Sequence, residues 1–159
     1  MRRLKPEEQE KLLFLVSGAK KGEYYQRVAE TVRKYGLEKR FRFVGWSQTR
    51  EILGVADALV LPSTMEGFPL SVAEAFLMKV PVIRTRTGGF DDQKYCIPID
   101  MDDPEDLAGI LRRIAAGDWD ELRKNVETAY AYAMENFTAE AMTSRTLEVY
   151  EQAIQAYRS

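Results

Sequence analysis

Glu66 and Glu74 stand on either side of Gly67-Phe68-Pro69-Leu70-Ser71, a turn that leads out of an apolar run and into a helix-forming one. Two carboxylates placed this way can accept hydrogen bonds from the hydroxyls of one bound molecule. The preceding segment, Asp57-Ala58-Leu59-Val60-Leu61, is short and apolar and is ended by Pro62-Ser63-Thr64, which predicts an inner strand of a parallel sheet. From about Pro69 the sequence favours helix, so Phe68 to Ser71 should carry the unpaired N–H groups of a helix start, where partial positive charge attracts phosphate. Glu74 lies about one turn inside that helix and leans back toward its start, within reach of a ribose. The spacing therefore suits a nucleotide-linked sugar. The plainer alternative is a solvated loop residue at 66 and a surface helix residue at 74. Gly67, which permits close backbone approach, Phe68, an apolar plug, and Pro69, which presets the helix entry, favour a site.

Composition narrows the chemistry. The chain has 159 residues, enough for one domain with a real core, and a net charge of −2. Cys96 is the only cysteine and there is no histidine, which excludes an intrachain disulfide, a closed cysteine zinc site, serine–histidine triads and histidine metal sites. Basic residues occur as scattered pairs such as Lys39-Arg40 and Arg112-Arg113, with no stripe that would mark a nucleic-acid surface. No apolar run approaches a membrane span, and the start lacks a signal-type apolar core, so the expectation is a soluble, cytoplasmic chain.

These candidate residues need elements to hold them. Leu12 to Val16, Phe41 to Val44, Asp57 to Leu61, Pro81 to Thr85 and Tyr95 to Ile99 read as strands. Between them, Tyr24, Tyr25, Val28, Val32 and Tyr35 recur at helical spacing up to Gly36, and Ser47 or Thr49 can cap a short helix through Val55. The alternation predicts a Rossmann-like, doubly wound parallel sheet in a single domain over 1–159. The last third is helical: Asp103-Pro104 opens one helix that Gly117 stops, Asp118 and Glu121 form a capping-box-like start for the next, and Thr138 opens an amphipathic packing helix through Ile154. In such a sheet ligands bind beyond the carboxyl ends of the strands, where Gly18 to Gly22, Gly45-Trp46, Ser63 to Phe68 and Arg86 to Phe90 should gather.

Several motifs, taken in order, resemble one family. They are Arg40-Phe41-Arg42-Phe43-Val44-Gly45-Trp46, Ala56 to Ser63, the glutamate pair with seven residues between its members, Pro81-Val82-Ile83, Gly88-Gly89 and Leu147-Glu148-Val149-Tyr150. Together they resemble the C-terminal, donor-binding domain of the retaining GT-B glycosyltransferases of family four, or group one. The resemblance implies that Glu74 grips the nucleotide ribose, that Glu66 orients the donor sugar, and that Gly67, Phe68, Pro69, Leu70 and Ser71 hold the diphosphate with no metal or other cofactor. Gly45 and Trp46 would border the base. The implied partners are a nucleoside-diphosphate sugar and a glycan or glycoconjugate acceptor held by an N-terminal domain, with peripheral membrane association of the full-length enzyme. The implied reaction is glycosyl transfer with retention.

There are departures from the pattern. Pro69 stands where the family usually has a second glycine, Leu77-Met78-Lys79-Val80 replaces a small-residue-plus-glycine ending, and Phe90-Asp91-Asp92 replaces a Pro or Ala followed by Glu. The family's first strand–helix unit, with an Arg and a Lys that neutralise the diphosphate, has no counterpart, and Met1 to Lys11 stands where its trailing helix would be. A truncated piece with little activity of its own is expected, and a non-catalytic nucleotide-binding or assembly module is the alternative. Other signals divide between readings. Asp100-Met101-Asp102 spells a manganese-type pattern but precedes a capped helix, so a turn is favoured. Arg84 and Arg86 meet phosphate or are solvated, Trp46 stacks on a base or packs under a loop, and Lys20 and Lys21 are loop charges.

Overall fold

The computed structural model describes residues 1–18, 22–87 and 93–158. Five parallel strands alternate with helices: α1 (Pro6–Gln9), β1 (Phe14–Ser17), α2 (Glu23–Lys34), β2 (Phe41–Gly45), α3 (Thr49–Leu53), β3 (Leu59–Leu61), α4 (Leu70–Leu77), β4 (Val82–Thr85), β5 (Ile97–Ile99), α5 (Pro104–Ala115), α6 (Asp120–Arg123), α7 (Val126–Asn136) and α8 (Ala139–Arg158). Short 3₁₀ turns precede β2 and β5. The expected β–α alternation is therefore present.

Alternate residues of β4 show the double winding. Val82 faces a cluster with Leu53 of α3, Val72, Ala75 and Phe76 of α4, and Ala129 and Ala133 of α7. Its neighbour Ile83 joins Ile99 and Leu122 on the other side, against Leu107, Ile110 and Ile114 of α5. Strand side chains alternate between faces, so one strand serves both layers. All four β4 residues are buried.

The hydrogen bonding divides the strands into two parallel sheets, β1–β2 and β3–β4–β5. In the first, Phe14 pairs with Phe41, their rings stacked 5.1 Å apart. In the second, Leu59 pairs with Val82 and Ile83 with Ile97. Among the described residues β3 lies at the edge of its sheet, not inside it as expected. β3 has a ladder on one side only among the described residues, and Leu59, Val60 and Leu61 remain half-buried. Its apolar run is that of a strand covered on both sides, whereas the central place in this sheet belongs to β4. α5 ties the sheets together, because Leu107 and Ile114 also pack against the cluster of Leu4, Leu12 and Leu111, which Phe14 of β1 joins.

Helix ends explain several differences from the sequence reading. Asp103 caps α5 by accepting from the Glu105 N–H at 2.8 Å, with Pro104 at the first helical position, and Gly117 at φ 81° ends the helix, as expected. Asp118 and Glu121 form no capping box, because both bind Arg113 instead. Their hydrogen bonds raise the Arg113 pKa, and the one from Arg113 holds the Asp118 carboxyl below its ordinary value. α3 starts at Thr49 after Gln48 with no side-chain cap, and the Ser47 hydroxyl donates to the Val44 carbonyl instead. Thr138 does cap the last helix, accepting from the Ala141 N–H at 3.2 Å. α8 is nevertheless no packing helix, since it has no buried residue among those described.

The end of α4 carries a left-handed residue that is not glycine. Lys79 has φ 56°, while the Val80 N–H donates to the Ala75 carbonyl at 2.8 Å and the Lys79 N–H to that of Phe76 at 3.0 Å. This is the helix ending that glycine usually supplies. The Lys79 ammonium is held by Glu127 at 2.7 Å and lies 4.7 Å from the Tyr130 ring centre, exposed interactions of small worth. Lys79→Gly relieves the backbone, whereas Lys79→Ala keeps the strain and loses the ion pair. The glycine variant is expected to be more stable than the alanine variant by about 1 kcal/mol in urea unfolding; the opposite ranking would contradict this account.

Candidate functional site

The carboxyl ends of the strands are cross-linked within each of the two sheets. The Gly18 N–H donates to the Gly45 carbonyl at 2.8 Å, joining the ends of β1 and β2. The Thr85 hydroxyl donates to the Ser63 carbonyl, joining β4 to the segment after β3. The Arg86 N–H donates to the Ile99 carbonyl at 3.3 Å, and Arg86 also pairs with Asp100, which joins β4 to β5. Of the loops expected to gather, Gly18 meets Gly45 and Ser63 meets Thr85, while residues 19–21 and 88–92, including Lys20, Lys21, Gly88-Gly89 and Phe90-Asp91-Asp92, fall outside the described residues.

After β3 the chain passes from Leu61 through Glu66 to α4. Pro69 precedes the helix instead of opening it: it is the N-cap, extended at φ −75° and ψ 94°, and its carbonyl accepts from the N–H groups of Val72 at 2.9 Å and Ala73 at 3.4 Å. Leu70 and Ser71 follow as the first helical residues, and among the described residues their N–H groups donate to no protein acceptor. Two adjacent amides with the helix dipole behind them form an anion-attracting start. Pro69 adds no N–H to it.

Glu74 is exposed on α4 and lines a cleft of about 600 Å³ between α4 and α8, together with Phe68, Leu70, Phe137, Arg145 and Tyr150. Glu66 is half-buried in the preceding turn and is not among the residues lining that cleft. Gly67 is exposed, with open space where a side chain would begin, so a ligand has room beside its backbone. Phe68 meets Phe137 edge to face, with ring centres 5.3 Å apart. Gly45 ends β2 at φ 69°, a conformation suited to glycine, and Trp46 follows it at 75% exposure.

The two arginines separate. Arg84 is fully buried, which overturns the solvated reading; its guanidinium donates to the Thr87 hydroxyl at 2.8 Å. It sits on a strand covered on both faces, a position that the flanking Val82, Ile83 and Thr85 already imply. Arg86 is engaged by Asp100. The Asp100 N–H in turn donates to the Asp106 carboxylate at 3.0 Å, and Asp103 caps α5, so the acidic run is used in turn and cap bonds. Among the described residues no cluster of carboxylates and Cys is arranged to hold a metal ion. The remaining displaced carboxyl, Glu105, is held below its ordinary value by a hydrogen bond from Arg112, with Arg3 adding to it.

Sequence reasoning missed the wall of the cleft. The sequence gives no role to Phe137 or Arg145, and Tyr150 enters only as part of the amphipathic last helix and the Leu147-Glu148-Val149-Tyr150 motif. The available signal was an aromatic residue immediately before the Thr138 cap, followed by a helix whose apolar residues have no facing partner in the preceding pattern.

The β–α alternation and the layering on both sides of β4 define a Rossmann-like α/β domain. The sequence matches the family Glycosyl transferases group 1 over residues 1–116, and the chain belongs to that family. It is 27% identical over 158 residues to the D-inositol 3-phosphate glycosyltransferase of Saccharomonospora viridis, covering 93% of this chain and 36% of that protein. The enzyme of the same name from Corynebacterium jeikeium is 30% identical over 120 residues, covering 69% and 29%. The chain thus spans about a third of the length of these curated relatives. Among solved structures, Anabaena Alr3699/HepE in complex with UDP superposes with a TM-score of 0.77 at 21% identity, covering 89% of this chain and 41% of that one. The shared fold is a Rossmann-like half of a GT-B glycosyltransferase. No described helix is long and apolar enough to cross a membrane.

Proposed function

We propose that this chain is the donor-binding part of a retaining glycosyltransferase, taking a nucleoside-diphosphate sugar and passing its sugar to a glycan or glycoconjugate acceptor in the cytoplasm. The observation that carries the reading is the junction from β3 to α4 in a member of this family, with Leu70 and Ser71 amides open at the helix start and Glu74 exposed one turn beyond. In this reading Glu74 accepts from the ribose hydroxyls, the backbone from Gly67 to Ser71 faces the diphosphate, Gly45 and Trp46 border the base, and Glu66 orients the sugar. No residue acts as a metal ligand. The protein's contribution is orientation of the donor and electrostatic stabilisation of the departing diphosphate.

Transfer needs an acceptor-binding domain supplied by polypeptide outside these residues. A further parallel strand from the same source completes the sheet between β1 and β3. Both strands keep one open edge among the described residues, both are half-buried, and α5 packs on the layer behind both.

A thermal-shift screen with UDP, GDP and ADP tests the donor reading. One of them, at a hundredfold excess over its Kd, should stabilise the chain by about 2.7 kcal/mol, a rise in Tm on the order of 5–10 °C. A flat response to all three would refute it.

A further inference from the structure

The turn from Glu66 to Pro69 runs from a half-buried residue to a buried one. It contains the exposed Gly67, and Phe68 is 47% exposed. The Phe68 ring, however, ends a run of aromatic contacts that reaches the core. It meets Phe137 edge to face at 5.3 Å, Phe137 meets Tyr132 in the same way at 5.3 Å, Tyr132 lies 4.7 Å from Tyr95, and Tyr95 meets the buried Phe76 at 6.0 Å. Edge-to-face pairs have a preferred geometry, so this run transmits position as well as burying surface.

Phe137 is itself fixed. It follows α7, and its N–H donates to the Ala133 carbonyl at 2.8 Å. The preceding Asn136 is gripped from two sides: its side-chain amide donates to the Tyr132 carbonyl at 2.8 Å, and the Arg145 guanidinium donates to its side-chain oxygen at 2.6 Å. Thr138, next in the chain, caps α8. The corner between α7 and α8 is thus bonded to both helices, and Phe137 projects from it onto the turn.

We propose that Phe137 is a positioning residue of the donor site, whose ring holds Phe68 and thereby sets the turn that carries Glu66 and delivers the Leu70 and Ser71 amides. The inference rests on the donor-binding reading above. Phe137 touches no reacting group; it acts through Phe68, and its loss removes a contact that fixes the Phe68 ring beside Gly67. The phosphate most distant from the nucleoside depends most on that turn, whereas the ribose depends on Glu74 from within the helix.

The test compares Phe137→Ala, Phe137→Leu and Phe137→Tyr with the unaltered chain in two measurements. The first is calorimetric affinity for UDP, GDP and ADP, each against its monophosphate. In Phe137→Ala and Phe137→Leu the preference for diphosphate over monophosphate should fall roughly tenfold, the size of one lost hydrogen bond to a charged group. Phe137→Tyr, which retains the ring, should keep it. A general loosening of the fold would weaken both ligands alike, and an unchanged preference in the leucine variant overturns the proposal. The second is amide hydrogen exchange over residues 67–72 without ligand, expected to accelerate in the alanine and leucine variants only. If the unaltered chain binds no diphosphate, the donor reading falls, and exchange then judges the Phe137 contact alone: equal rates in all four proteins overturn it.

Discussion

Glu74→Ala should raise the Kd for the preferred nucleoside diphosphate by about thirtyfold or more, the equivalent of about 2 kcal/mol for a carboxylate that accepts from ribose hydroxyls. The variant is informative because the folded protein asks little of this side chain. Glu74 is exposed on α4, and among the described residues it forms no ion pair. Alanine is a good helix former, so stability without ligand should stay within about 0.5 kcal/mol. The binding loss can therefore be measured on a folded protein, by calorimetry or by the disappearance of the ligand-induced rise in Tm. Equal stabilisation of both proteins by a diphosphate would show that Glu74 is not the ribose ligand. Glu66→Ala provides the complementary contrast, leaving the free diphosphate bound and weakening the sugar nucleotide.

Phe76→Ala is expected to cost about 3–5 kcal/mol of folding free energy, a large part of the 5–15 kcal/mol typical of a domain. Phe76 is 2% exposed and lies where α4, β4 and α7 meet, among Leu53, Val82, Ala129 and Ala133, with its ring edge to face with Tyr95. The small neighbours Ala129 and Ala133 have no side-chain length with which to fill the space, so the cavity should persist. Phe76→Leu retains most of the volume and should cost less than half as much. Urea unfolding gives both values. A loss near 1 kcal/mol for the alanine variant would mean that α4 moves to close the gap, and with it the helix start that carries the proposed site.

How far the sequence shows this molecule depends on the element. The strands were legible because a β–α unit buries short apolar runs, and Val82 to Thr85 is buried throughout. The Asp103 cap and the Gly117 stop were legible because they are local bonds between near neighbours. What sequence concealed is longer in range. Nothing around Asp57–Leu61 tells that among the described residues only one of its edges is paired, since hydrogen-bond partners are set by topology. Asp118 and Glu121 fit a capping box equally well until Arg113, on the preceding helix, takes both. In the candidate site, spacing singles out Glu66 and Glu74, of which Glu74 lines the cleft and Glu66 does not. Phe137 is not singled out, because its contact with Phe68 spans half the chain and no local pattern marks it.

The open edges of β1 and β3 also govern how this segment behaves in a test tube. An unpaired apolar strand is a template for another, and at Leu59, Val60 and Leu61 the β3 edge carries none of the lysines or prolines by which sheet edges ordinarily repel their own kind. Purified at high concentration, the segment should lose material to oligomers and precipitate, with sedimentation shifting as protein is added. On the proposed completion of the sheet, co-production with a segment that supplies that strand should keep it dispersed, and the yield of soluble protein is then an assay for that segment before any sugar is transferred.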